Sequence, residues 1–195
     1  MMRAPRFALA AALAVAVFAA LPAPALAQKA QEPVLVTSCG QSPGPLRMTV
    51  FMKRLGIDHE FKADATVKDL AAKPYKTVIV VTGSSLKGMG AAGVEISDEV
   101  SRATALIAEA KKRGITVVGA HVEGMERRAK NAAPGDNSDE MSIDAVCPKA
   151  QFLIVRKDGD EDARFTTLGK KFNIPVLFYE KNADIVNVLT PVFGK

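Results

Sequence analysis

Thr77-Val-Ile-Val-Val-Thr-Gly-Ser-Ser-Leu-Lys-Gly-Met-Gly-Ala-Ala-Gly93 decides how the rest of the chain is read. A short β-branched run, apolar at successive positions, belongs in the middle of a parallel sheet with helices over both faces. The run ends in a segment holding Gly83, Gly88, Gly90 and Gly93, with Ser84, Ser85 and Lys87 among them. Glycine-rich backbone just past such a strand approaches a ligand closely, because no Cβ intervenes. The stretch therefore predicts a central strand and a binding loop at its carboxyl end.

Upstream, residues 34–38 read as a first strand, followed by the loop Cys39-Gly-Gln-Ser-Pro-Gly-Pro45. Met48, Phe51, Met52 and Leu55 then recur on one helical face, which Gly56 ends. Residues 58–61 form a polar edge strand and 66–72 a short helix. Downstream, Ser97 caps a helix with Asp98 and Glu99 in its first turn and Lys111, Lys112 and Arg113 in its last. Its buried stripe is Val100, Ala103, Ile107 and Ala110. Strands over 115–120, 152–155 and 176–179 alternate with helices over 138–146 and 163–172, and a last helix over 183–193 breaks near Pro191. Such alternation predicts an α/β fold: one doubly wound, mainly parallel sheet, flavodoxin-like, of order 2-1-3-4-5 with a possible sixth strand.

Residues 1–27 carry Arg3 and Arg6, an apolar run from Phe7 to Leu21 and Ala25-Leu-Ala27. That is the pattern of a cleaved secretory signal peptide, with an apolar run shorter than the ~20 residues a spanning helix needs. The expectation is a periplasmic or secreted protein whose residues 28–195 form a single domain, with no membrane insertion after cleavage. Without Arg3 and Arg6 the chain keeps 24 basic against 21 acidic residues, a balance too mild to indicate nucleic acid. Cys39 falls at a strand's carboxyl end and Cys147 before the next strand's beginning. Opposite poles of a sheet are beyond disulfide reach, so two free thiols are expected despite the oxidising compartment.

The motifs Val34-Leu-Val-Thr-Ser-x-Gly-Gln-Ser-Pro43, Gly83-x-Ser-x-Lys-Gly-x-Gly-Ala-Ala-Gly93, His121-x-x-Gly-x-x-Arg-Arg128, Ser138-Asp139 and Asp162-x-x-Phe-Thr166 resemble an uncharacterised bacterial family, domain of unknown function 6305. The resemblance spans nearly the whole exported chain and implies an exported α/β domain with no known activity. The chain departs from that pattern at Glu123, where a second glycine is usual after the histidine, and at Ala163, where a glycine follows the aspartate. Its 129–137 stretch is also longer.

Ligands of doubly wound sheets bind beyond the strands' carboxyl ends, where the strand order reverses. That places a site between 39–45 and 83–93, rimmed by 121–128 and 158–162. Amides of the Gly83, Gly88 and Gly90 loop, the helix start at Gly44-Pro45, and the hydroxyls of Ser42, Ser84 and Ser85 suit a carboxylate or phosphate. Lys87, Arg127 and Arg128 supply positive charge; Ser38, Gly40, Gln41, His121 and Asp162 complete the predicted ligand-binding set. The bland alternative is that the glycines make a tight turn and the arginines are solvated.

Flavin is disfavoured: there is no Trp, Tyr75 and Tyr179 lie outside the loops that would stack the ring, and Pro43 and Pro45 lack amide donors. No metal is expected, since Asp158, Asp160 and Asp162 begin a calcium-loop spacing that Ala163 and Gly169 interrupt, and His59 and His121 stand apart. No cofactor is expected. The favoured function is an exported binding protein for a small polar or anionic molecule, working beside a transporter or sensor, with no catalytic residue assigned. The alternatives are a small hydrolase using Ser84 or Ser38 with His121, and a protein-interaction module.

Overall fold

The computed structural model describes residues 29–135 and 137–195; the signal-peptide expectation for 1–27 falls outside them. Six strands form one parallel sheet in the order β2-β1-β3-β4-β5-β6. They are β1 (Val34–Cys39), β2 (His59–Phe61), β3 (Thr77–Thr82), β4 (Thr116–His121), β5 (Phe152–Arg156) and β6 (Val176–Tyr179). β3 is buried at every position and sits between β1 and β4, as its unbroken β-branched run requires. The fold is the doubly wound, flavodoxin-like one, with the sixth strand present.

Helices α1 (Gly44–Arg54), α2 (Val67–Ala72), α3 (Leu86–Ala92), α4 (Ile96–Lys112), α5 (Ser138–Val146), α6 (Arg164–Phe172) and α7 (Ile185–Phe193) fill the connections. Alternate strand residues point to opposite faces. Leu35, Val80, Val117 and Leu153 pack with α2, α4, α5 and α6 on one face. Val36, Ile79, Val118 and Ile154 pack with α1 and α7 on the other. The single reversal, at β1 and β3, follows from right-handed crossovers that send α1 to one face and α2 to the other.

Three local expectations are corrected. α4 is capped by Glu95, not Ser97: the Glu95 amide donates to the Asp98 carboxylate at 2.9 Å in a capping box. α7 runs through Pro191 without breaking. The segment expected as an open glycine loop contains α3. Ser85 Oγ accepts the Gly88 amide at 3.1 Å, and Gly93, at φ +67°, closes the helix. Among the described residues no helix is long and apolar enough to cross a membrane.

Candidate functional site

The 39–45 and 83–85 segments meet where the strand order reverses. Gln41 and Ser84 form an isolated antiparallel bridge, and the Ser85 amide donates to the Gly40 carbonyl at 2.7 Å. A Cβ on Gly40 would lie 2.7 Å from the Gly83 carbonyl oxygen, and its φ of +109° suits glycine alone. These glycines bring backbone against backbone within the chain.

Negative charge does gather at the predicted amides, and it is supplied from within. Gly40 donates to Glu99 Oε2 at 2.9 Å, Gly44 to Glu123 Oε2 at 3.1 Å, and Ser84 to Asp139 Oδ1 at 2.6 Å. The Ser84 hydroxyl also reaches Asp139, at 2.9 Å, and Ser138, at 2.7 Å. Burial pushes the Glu99 carboxyl up, but Arg102 and the Gly40 amide more than offset it and leave it below the usual range. Glu123 is wholly buried over the start of α1, where the helix dipole favours an anion. Gly83 donates to Ser142 Oγ at 3.1 Å, and Ser42 Oγ accepts the Gly44 amide at 3.3 Å. Gly88 has no room for a Cβ beside the Gln41 carbonyl, whereas Gly90 faces open space and Lys87 is exposed.

The predicted rim is a structural lock. His121 is fully buried, with Nδ1 3.0 Å from Thr82 Oγ1 and Nε2 2.9 Å from the Gly124 carbonyl, which it donates to. Its ring lies 4.9 Å from that of Phe165. Burial brings the imidazole down to about 4, the Gly124 carbonyl notwithstanding, with Arg128 and Arg156 adding to the fall. Arg128, expected at a ligand, is enclosed instead: it donates to Glu140 at 2.7 Å, to the Gly159 carbonyl at 2.8 Å and to both oxygens of Asp162 at 2.9 Å. Its guanidinium also sits 5.6 Å from the Phe165 ring centre. Asp160 accepts from the Phe165 and Thr166 amides at the start of α6. Arg127 remains partly open; its buried Nε makes no hydrogen bond and lies 3.6 Å from Glu123 Oε1, which is equally without one.

The serine–histidine pairs do not form. Ser84 is held by Asp139, and Ser38 is on the face of β1 opposite to the one His121 occupies on β4. Among the described residues no three His, Cys, Asp or Glu side chains group as metal ligands. Cys39 and Cys147 are buried and unbonded.

A different cleft lies at the same pole. Arg47, Met48 and Phe51 of α1, Val122 after β4, Tyr179 ending β6, and Asn182 and Ile185 line a groove of about 240 Å³. Its floor is apolar and its polar groups are few, as binding clefts generally are. Tyr179 is only 5% exposed, yet its hydroxyl makes no hydrogen bond to another described residue. Burial pushes its phenol up, so it stays a donor. Asn182 Oδ1 accepts from Arg156 at 3.0 Å, which leaves its NH2 as a donor. Arg47 has only long ion pairs, 3.9 Å to Glu123 and 3.6 Å to Glu126, and keeps guanidinium donors unused. Sequence reading placed Met48 and Phe51 on one helical face, and only the convergence of β4, β6, α1 and α7 in space brings the lining together.

The family model described as domain of unknown function 6305 (DUF6305) matches residues 31–193. The chain is a member of the DUF6305 family. No curated protein matches it in sequence. Solved structures similar to this DUF6305 chain include a GDSL-like lipase from Bacteroides thetaiotaomicron, at 15% identity over 75% of this chain and 67% of that one, TM-score 0.35. One provisionally named as an acylhydrolase, from Bacteroides fragilis, is 12% identical over 75% and 66%, TM-score 0.36. The psychrotrophic esterase EstA of a Pseudoalteromonas species is 10% identical over 75% and 76%, TM-score 0.32.

Proposed function

We propose that this DUF6305 protein is an exported binding protein for a small organic anion with an apolar body, seated in the α1–α7 groove. The observation that carries the reading is the Tyr179 hydroxyl, which opens from a buried ring onto an apolar cleft and makes no hydrogen bond to another described residue. A phenolic donor held at the wall of an apolar cleft suits a ligand that brings an acceptor oxygen. Arg47 and the Asn182 amide stand at the same groove, and together the three donors suit a carboxylate. Met48, Phe51, Val122 and Ile185 suit a short aliphatic or aromatic body. The site stays at the carboxyl ends of the strands but moves from the glycine segment to the other face of the sheet.

Calorimetric titration with phenylacetate, 4-methylpentanoate and octanoate tests this. At least one is expected to bind, less tightly at high salt because Arg47 is half exposed. Arg47→Ala is expected to weaken binding most. Tyr179→Phe is expected to cost about 0.5–1.5 kcal/mol, the worth of one hydrogen bond. Binding indifferent to both substitutions sinks the site. Turnover of 4-nitrophenyl acetate by the wild-type protein would replace the reading with hydrolysis, the activity named for the similar structures.

A further inference from the structure

The two edges of the sheet differ in kind. β2 is three residues long, and its Glu60 is tied to Lys73 and to the Tyr75 hydroxyl, the latter at 2.7 Å. Short, charged edges discourage pairing. β6 has the sequence Val-Leu-Phe-Tyr, pairs only with β5, and leaves Phe178 39% exposed. Apolar grooves flank it on both sides. One, of about 360 Å³, is lined by Ile174, Val176 and Phe178, and the other, of about 300 Å³, by Leu177, Val188 and Pro191.

From these features the geometry points to a second copy of this chain pairing through β6, antiparallel, to continue the sheet across a twofold axis. The backbone supplies a self-complementary pattern. Leu153 donates to the Pro175 carbonyl at 2.8 Å, so residues 175, 177 and 179 turn their backbone groups towards β5. The amides and carbonyls of Val176 and Phe178 therefore point outward. In an antiparallel pair, Val176 of each copy meets Phe178 of the other in a hydrogen-bonded pair, and Leu177 meets its own counterpart on the axis. Val176 and Phe178 share the α6 face, and Leu177 takes the α7 face, so each groove receives apolar side chains from the other copy.

Charge favours this orientation. Lys170 borders the groove at the start of β6, and Glu180 directly follows its end. Antiparallel pairing brings the Glu180 end of one copy to the Lys170 end of the other, whereas parallel pairing sets like against like. A contact this short makes a concentration-dependent dimer rather than a permanent one.

Sedimentation velocity over a wide concentration range is expected to show reversible dimerisation. Lys170→Glu should weaken it, and the double variant Lys170→Glu with Glu180→Lys should restore it. Cysteine placement tests the register, because Cys39 and Cys147 are buried. In Leu177→Cys the two α-carbons would be about 4.5 Å apart, within disulfide reach. In Phe178→Cys they are offset by two residues and lie beyond the ~7 Å limit. Mild oxidation should cross-link the first variant and not the second. A monomer at every concentration, or equal cross-linking at both positions, overturns the proposal.

Discussion

Arg128 grips both carboxylate oxygens of Asp162 at 2.9 Å while its Nε donates to Glu140 at 2.7 Å, with its side chain wholly buried. The three charges join the long 129–137 connection, α5 and the start of α6. Breaking a buried pair from one side leaves an uncompensated charge, at about 3–5 kcal/mol. Arg128→Met is therefore expected to lower the urea midpoint strongly. Arg128→Lys should rescue little, since an ammonium cannot grip bidentately. A midpoint unmoved by either change contradicts the assignment.

Acid should unfold the protein in two windows. His121, held at about 4 when folded against an ordinary 6.5, takes up a proton more readily unfolded. Its contribution is complete above pH 6.5 and lost as pH falls towards 4. Burial pushes the Asp162 carboxyl up, but Arg128 and the Asn131 amide more than offset this and bring it down to about 2 from 3.8. That contribution is lost later, between about pH 4 and 2. Unfolding free energy measured against pH should lose the first slope in His121→Gln and keep the second.

Gly88, Gly90 and Ala163 should respond in different directions. Gly88→Ala drives a methyl into the Gln41 carbonyl and should cost at least about 1–3 kcal/mol. Gly90→Ala, inside α3 and facing open space, should gain up to about 1 kcal/mol. Ala163 adopts φ +57°, where an L-residue is strained by about 1–2 kcal/mol. Ala163→Gly should therefore raise the melting temperature. Calorimetric melts of the three variants decide the matter, and equal effects at Gly88 and Gly90 would refute the packing account.

Glu123 occupies the start of α1 as a built-in anion. Glu123→Ala should destabilise the protein by about 1–3 kcal/mol and leave the Gly44 amide only the longer bond to Ser42 Oγ. Sulfate should then recover part of the loss in the variant and do less for the wild type. Equal stabilisation of both proteins would show that Glu123 does not fill an anion position.

The sheet was legible because β3 is apolar on both faces and the strands alternate with helices; β6 and α5 fall at their expected residues. α3 was not legible because Gly88 and Gly90 lower the helix propensity of a segment that tertiary contact holds, through the Ser85 cap and the fit of Gly88 on Gln41. The destination of Arg128 was not legible either, since Arg127-Arg128 reads as charge for a ligand, or as solvated charge, unless Glu140 and Asp162 are known to converge on it. Glu99 offered a signal: it shares the stripe of Ala103, Leu106 and Ala110, where a carboxylate needs a partner. Tyr179 offered none, because whether its hydroxyl meets protein or cleft depends on where α1 and α7 come to rest.

α7 follows the edge strand β6, and its approach is set by the short connection between them. One wall of the α1–α7 cleft is therefore carried by the helix after the edge strand, which Ile185 and Leu189 seat in the core. The opposite wall, α1, is fixed at both ends by β1 and β2. The side chains that α7 presents to the cleft are thus separate from the buried carboxylates Glu99 and Glu140, which hold the segments on the other face of the sheet.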